Sequence, residues 1–216
     1  MNGIDFFDVD HTLTRRSSGA RYIALAMQKG VLPRRLLVVV GWYALTYRLG
    51  LFKLRPYAEG FPYLKNLSLA TLTSLAQESF ESHLKDDMFS DGLALVRKSH
   101  ADGRRVVLAT SSLDIIVAPL AQYIGVNEVL ATSLEFRSGK CTGRLAGAPM
   151  FRAEKKERVL EYAAEKGIAI SDCSFYSDSI YDLPLLEAVG HPVAVNPDFR
   201  LRCLARKRGW ALMDLS

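Results

Sequence analysis

Five carboxylates, two hydroxyl runs and a lysine stand out in this chain for their spacing. Asp5-Phe6-Phe7-Asp8-Val9-Asp10-His11-Thr12 carries an apolar run of strand character into two aspartates separated by one residue. In a strand, alternate side chains share a face, so a strand running unbroken to Asp8 points Asp8 and Asp10 the same way. Two like charges held that close resist joint ionisation unless a cation lies between them or one carboxyl keeps its proton. Thr110-Ser111-Ser112 ends a second apolar run, and Ser177-Asp178-Ser179, followed by Asp182, ends a third. Lys155 sits in the first turn of an intervening helix, with Lys156 as its neighbour and rival. Each feature alone has a plain structural use: Asp, Ser and Thr cap helices, and Lys155 within Glu154-Lys155-Lys156-Glu157 reads as surface charge. If the three runs are parallel strands, their carboxyl ends bring all these groups to one edge, where open α/β sheets bind ligands. Asp8, Asp178 and a backbone carbonyl near Asp10 are then hard oxygen donors suited to Mg²⁺. Thr110 and the N–H groups after it suit phosphate oxygens at a helix start, and a lysine there neutralises charge on a transferring group.

The elements that must position these groups follow from hydrophobic patterning. Strands are expected at Ile4–Asp8, Arg105–Ala109, Glu128–Ala131, Cys173–Tyr176, Val193–Val195 and Ala211–Met213, alternating with helices after Gly92. That alternation predicts an α/β fold with a doubly wound, mostly parallel sheet. Leu134–Phe136 and Cys141–Leu145 read as a hairpin, and the helix before the last strand is expected to open with Asn196 as cap and Pro197 at its first position. Between Ser17 and Phe89 only helical patterning is found: a helix over Ala20–Lys29, one opened by Pro33 and continuing through Leu36, Leu37, Val40 and Leu45, and one capped by Ser68. The chain therefore divides into a core of 1–14 and 90–216, Rossmann-like in its layering, and an inserted all-helical cap at 15–89.

With 28 basic and 23 acidic residues, the formal charge of +5 is mild. The cluster Arg200–Arg208 is short and has no nucleic-acid motif around it, so no nucleic-acid partner is expected. Cys141, Cys173 and Cys203 form neither a CxxC nor an even framework. No secretory leader is read ahead of the first strand, and a cytoplasmic location is the expectation. The most apolar stretch, Leu36–Tyr47, is about a dozen residues, short of the roughly 20 that span a bilayer. It predicts no membrane span but leaves room for peripheral membrane contact.

These motifs together resemble the haloacid-dehalogenase-like hydrolases, in the subfamily IB branch that looks like phosphoserine phosphatase. Asp8-Val-Asp10-His-Thr12 matches its DxDxT motif, Val106–Ser111 its second, Lys155 its third, and Ser177-Asp178-Ser179-Ile-Tyr-Asp182-Leu183-Pro184 its fourth, with Ser179 where Gly is common. The resemblance implies a Mg²⁺-dependent phosphomonoesterase acting on a small phosphorylated metabolite. Asp8 would be the nucleophile that becomes an aspartyl-phosphate, and Asp10 the general acid and base. Asp8, the Asp10 carbonyl and Asp178 would hold the metal, with Asp182, Thr12 and Ser179 supporting. Thr110, Ser111 and Lys155 would bind phosphate. Where this branch carries a glutamate that reads a substrate ammonium, Ser17 stands between Arg15-Arg16 and Ser18. These three, Arg15, Arg16 and Ser17, are the substrate-selecting candidates, and the change argues against an amino-acid substrate. The apolar cap, with Trp42 and Tyr43, admits a lipid head group such as phosphatidylglycerophosphate as the alternative substrate. A non-catalytic phosphate-binding protein is the competitor from another class. A receiver domain is set aside, because its phosphorylated Asp lies on the third strand and it needs no large cap.

Overall fold

The computed structural model describes residues 3–36, 38, 41, 42 and 60–216. Six strands form one sheet: β1 (Ile4–Phe7), β2 (Arg105–Leu113), β3 (Glu128–Thr132), β6 (Ser174–Ser177), β7 (His191–Val195) and β8 (Ala211–Met213). Their order is β3-β2-β1-β6-β7-β8, and every neighbouring pair is parallel. The strands alternate with helices, so the expected doubly wound α/β fold is the one observed. β1 lies at the centre, where both faces are covered, and all four of its residues are buried. Its alternation splits the two faces. Phe6 packs with Val107, Phe175, Leu185 and Leu201 under helices α5 (Ala153–Glu165), α6 (Leu183–Leu186) and α7 (Phe199–Arg208). Phe7 packs with Leu108, Val117 and Leu120 under α3 (Ser90–Ala101) and α4 (Asp114–Tyr123).

The charge in β1 is clamped at the other end of the sheet. Asp5, 4% exposed as a side chain, accepts a 2.7 Å hydrogen bond from Arg104 Nε, while Arg104 Nη2 donates to the Asp172 carbonyl at 2.9 Å and to Ser174 Oγ at 3.3 Å. Gly3 leaves the space for this guanidinium, because a Cβ there would overlap it and the Asp172 carbonyl. Removing one partner of a buried ion pair strands the other, at a cost of about 3–5 kcal/mol. Arg104→Met is therefore expected to lower unfolding free energy by that order in a urea titration; a loss under about 1 kcal/mol would contradict this account.

The segment between β1 and α3 enters and leaves through adjacent backbones. Phe89 N–H donates to Leu13 O at 3.0 Å and Arg15 N–H to Asp87 O at 2.7 Å. Within it lie α1 (Ser18–Gln28), capped by Ser17, and α2 (Leu69–Ser79), capped by Ser68, whose hydroxyl accepts the Thr71 N–H at 3.0 Å. The expected helix opening at Pro33 falls largely outside the described residues, Leu37, Val40, Tyr43 and Leu45 among them. Leu36, Val38, Gly41 and Trp42 are helical, with Val38 and Trp42 exposed. The hairpin, β4 (Leu134–Arg137) and β5 (Lys140–Leu145), does not join the main sheet. It docks on the inserted segment, with Asn66 N–H to Cys141 O and Cys141 N–H to Leu67 O both at 2.8 Å. Its Leu134 and Cys141 complete an apolar cluster with Tyr22, Ala26, Leu64, Leu72 and Leu75.

Two local expectations need correction. β2 does not stop at Ala109: after a register shift against β3, Leu113 pairs with Thr132, so Thr110–Ser112 belong to an irregular strand end. Asn196 does not cap α7. Its φ of 44° is left-handed, unlike the extended backbone of an N-cap, and its N–H and Oδ1 bond Met213 O and Leu215 N–H. Asp198 is the cap, accepting the Leu201 N–H at 2.9 Å.

Candidate active site

Strand register assembles the site. Phe7 is level with Leu108 on one side and Tyr176 on the other. Thr110 and Asp178 thus each lie two residues beyond the strand partners of Phe7, flanking Asp8 at the carboxyl edge. Asp8 stays tied to the sheet, its N–H donating to Tyr176 O at 2.9 Å. The strand ends at Phe7, however, and alternation does not place Asp10. A tight turn does: the N–H groups of Thr12, Leu13 and Thr14 all converge on Val9 O at 2.9–3.3 Å.

Lys155 is the centre of charge. Its ammonium, 1% exposed, lies 2.8 Å from Asp182 Oδ1 and 3.5 Å from Asp8 Oδ1, 5.5 Å from the centre of the Phe175 ring. Lys156, one position on, points elsewhere and pairs at 3.9 Å with Glu157. Asp182 is further held by Ser177 Oγ at 2.7 Å, and the same Oγ accepts the Ser179 N–H at 3.2 Å. Thr12 Oγ1 approaches Asp178 Oδ1 at 3.4 Å. Burial pushes the Asp8 carboxyl up to about 7; Lys155 opposes this, while Asp182 and Asp10 add to it. Burial also raises Asp178 well above the usual carboxylate range, reinforced by Asp8 and Asp182. Burial works to lower Lys155 but is outweighed by Asp182 and Asp8, which hold it above the ordinary lysine value.

Asp10 has a different environment. Its Oδ1 accepts the Ser18 N–H at 2.8 Å, and its Oδ2 accepts Ser112 Oγ at 2.9 Å and Ser17 Oγ at 3.2 Å. The first turn of α1 and the end of β2 therefore meet on this carboxylate. Thr110 is buried, with its hydroxyl accepting the Ser112 N–H at 3.2 Å. The Ser111 carbonyl accepts Thr132 Oγ1 at 2.9 Å, and Ser179 Oγ accepts the Tyr181 N–H at 3.3 Å. Of the substrate-selecting candidates, the structure brings Ser17 to the cluster but not the two arginines. Arg15 donates to Met88 O at 2.9 Å and lies over the Phe89 ring, and Arg16 faces Asp87 at 3.8 Å. Ser18 and Ser112, which meet Asp10, are participants that sequence reasoning passed over. Ser112 was visible only as a helix-capping hydroxyl, and Ser18 carried no signal beyond local turn chemistry.

The donor set fits a divalent cation. Three buried carboxylates, Asp8, Asp178 and Asp182, face a single lysine, an excess of two formal negative charges. Among the described residues, the buried Asp8 Oδ1 accepts no hydrogen bond despite its proximity to Lys155. No cluster of three or more His, Cys, Asp or Glu forms a ready-made metal cage among those residues. The pair Asp8 and Asp178 suits Mg²⁺, which binds through one or two carboxylates and keeps places for water and substrate phosphate.

Comparison with known proteins bears on the family and the fold. A family model for haloacid dehalogenase-like hydrolases matches residues 6–187. Over 215 residues the chain is 34% identical to a phosphoserine phosphatase of Mycobacterium tuberculosis, covering 97% of this chain and 70% of that protein. It is 31% identical to a probable phosphatase of the same species, covering 98% and 75% respectively. A solved protein of unknown function from Bordetella pertussis Tohama I superposes with a TM-score of 0.90 at 31% identity, covering 99% of both chains. A substrate-bound phosphoserine phosphatase shares the fold, with a TM-score of 0.71 at 17% identity over 99% of this chain and 93% of that one. The chain belongs to the haloacid dehalogenase-like hydrolase family. Within it, the chain falls among the phosphatases. No helix of the described residues is long and apolar enough to cross a membrane.

Proposed function

We propose that the protein hydrolyses the phosphomonoester of a small metabolite through a phosphorylated Asp8, with Mg²⁺ bound by Asp8, the Asp10 carbonyl and Asp178. The observation that carries this reading is Asp8 Oδ1: buried, without a hydrogen bond among the described residues, and facing the only lysine of the cluster. Such an oxygen is poised to attack phosphorus in line. The new bond forms from Asp8 to phosphorus as the bond to the leaving oxygen breaks, and Asp10 gives that oxygen its proton. Asp10 then takes a proton from water, the water oxygen bonds to phosphorus, and the bond to Asp8 breaks, releasing inorganic phosphate, the Asp8 carboxylate and Asp10 carrying its proton as at the start. Lys155, Thr110 and Ser111 hold the phosphoryl oxygens, so positioning and charge neutralisation do most of the work. Bound Mg²⁺ supplies further charge neutralisation to the phosphoryl group. Asp182 sets Lys155, and Thr12 and Ser179 brace the Asp178 loop. Residues 15–89, with the docked hairpin, act as a cap that shields the reaction from bulk water.

The substrate is read as small and phosphorylated, but not as an amino acid of the phosphoserine type. Ser17 offers no carboxylate for an ammonium, and its hydroxyl is engaged with Asp10. Similarity to a histidinol-phosphatase of Neisseria meningitidis serogroup C, 35% identical over 124 residues that cover 56% of each protein, supports reading the substrate beyond phosphoserine. A lipid head group is the second reading. Residues 11–58 contain nine Lys and Arg and no Asp or Glu, and Val38 and Trp42 are 78% and 65% exposed, a combination suited to peripheral contact with anionic lipid.

The test is release of phosphate from a generic aryl phosphate with Mg²⁺ and with EDTA. Metal-dependent release is expected; a folded protein that binds phosphate without turnover would favour the non-catalytic alternative. Stability should respond to metal as well. Asp8 sits near 7 in the folded chain, against about 4 unfolded. A raised carboxyl makes the folded state hold its proton longer, so metal-free stability falls as pH rises from about 4 through about 7, by on the order of 4 kcal/mol. Mg²⁺ offsets that loss. The gap in melting temperature between Mg²⁺ and EDTA samples is therefore expected to widen from pH 5 to pH 8, and Mg²⁺ binding at pH 7 to release protons. A gap independent of pH would count against Asp8 as a ligand.

A further inference from the structure

Asp198 touches none of the groups assigned above through its side chain, yet it joins three parts of the fold at the site's edge. Its N–H donates to the Asp178 carbonyl at 2.8 Å. Its Oδ2 accepts the Ile180 N–H at 2.7 Å, and its Oδ1 accepts the Leu201 N–H at 2.9 Å. The residue thus grips both ends of the tripeptide 178–180 and fastens it to the first turn of the ten-residue helix α7.

The grip matters because that tripeptide carries the Asp178 carboxylate. β6 ends at Ser177, and the following 3-10 turn begins only at Ile180. Asp178 therefore lies in the short join between them. On the inner side the join is held by Ser177 Oγ, which receives the Ser179 N–H. On the outer side its backbone bonds go to Asp198. A helix cap needs only one oxygen, so the second oxygen of Asp198 is surplus to capping and serves the loop. The left-handed Asn196 before it, tied to Met213 O and Leu215 N–H, anchors the approach of the chain to β8 and sets where Asp198 lies.

We infer that Asp198 is a positioning residue for metal binding, holding the 178–180 loop so that the Asp178 carboxylate meets Mg²⁺ without reorganisation. The inference rests on the metal reading given above. Groups that orient ligands from behind typically contribute 10- to 100-fold in metal affinity. Two variants separate this role from capping. Asp198→Ser keeps a hydroxyl that can cap α7 but cannot also reach Ile180. Asp198→Asn keeps the shape but presents one acceptor to two N–H groups.

The experiment is calorimetric titration of Mg²⁺ into the 216-residue chain, wild type and both variants, with circular dichroism to establish folding and aryl-phosphate kinetics across Mg²⁺ concentrations. In both variants the Mg²⁺ dissociation constant is expected to rise about 10- to 100-fold, with kcat at saturating Mg²⁺ changed by less than about fivefold. Asp198→Ser should melt close to wild type. Unchanged Mg²⁺ affinity in folded variants, with only a lowered melting temperature, would make Asp198 a helix cap and overturn the proposal. A wild-type chain that binds no Mg²⁺ would overturn the metal reading itself, and this inference with it.

Discussion

Asp8→Asn is expected to lower kcat on an aryl phosphate by about 10⁵-fold or more, the scale seen when a covalent nucleophile is removed, while the chain stays folded. The amide is close in volume to the carboxylate, and the backbone bond from residue 8 to Tyr176 O is untouched. The folded state should even gain without metal. Asp8 is buried with its carboxyl pushed up to about 7, so above neutral pH the wild-type chain carries an ionised group that burial disfavours, and the amide relieves it. In EDTA at pH 8 the variant should therefore melt at or above wild type; in Mg²⁺ the order should reverse, because a ligand has been lost. Phosphatase kinetics and paired melting curves check both statements. Activity within tenfold of wild type would remove Asp8 as nucleophile. Retained inactivity with a collapsed melting temperature would instead point to a folding defect.

Lys155→Met is expected to damage both activity and stability. The lysine lies between Asp182 and Asp8 with 1% of its side chain exposed. The thioether keeps the length of the lysine stem beside Phe175 but leaves three carboxylates with no cation. Loss of one charge donor to a transferring phosphoryl group costs about 10²- to 10³-fold in kcat, and stranding buried charges costs about 3–5 kcal/mol. The sign of the pH effect tests the cause. Without the ammonium, the raised carboxyls of Asp8 and Asp178 rise further. The stability deficit is then full above their folded values and shrinks as pH falls and they take up protons. Urea titrations of wild type and variant in EDTA at pH 5 and pH 8 should show a smaller difference at pH 5. Equal differences would show that the loss is one of packing. Lys155→Arg should not rescue, since a planar guanidinium cannot occupy a point-charge site enclosed on all sides.

The local elements were legible because their signals are local. Ser68 caps α2 as its position implied, and Gly167 follows α5 with a φ of 66°. β1 was legible because a central parallel strand is apolar on both faces. Misreadings arose where distant residues decide the outcome. Asn196-Pro197 looks like a cap and first helical residue, but its bonding is set by β8 and the following chain, seventeen and nineteen residues on at Met213 and Leu215. Thr110–Ser112 looks like a loop until Leu113 rejoins Thr132. The hairpin was read from its turn, yet which surface it covers depends on Asn66 and Leu67 in another part of the chain.

The same division runs through the candidate site. By itself, the sequence determined which apolar runs lead into Asp8, Thr110 and Asp178, and hence that these three share one edge, because parallel pairing aligns the carboxyl sides of the runs wherever each strand formally ends. It could not choose between Lys155 and Lys156, place Asp10 once the strand had ended, or separate Ser17 from its two neighbouring arginines. Only the tertiary structure decided these. A helix rotates about 100° per residue, so adjacent lysines point to different surroundings, one into the carboxylates and one to solvent. Asp10 is held by donors at positions 17, 18 and 112, a meeting of segments that no local pattern encodes.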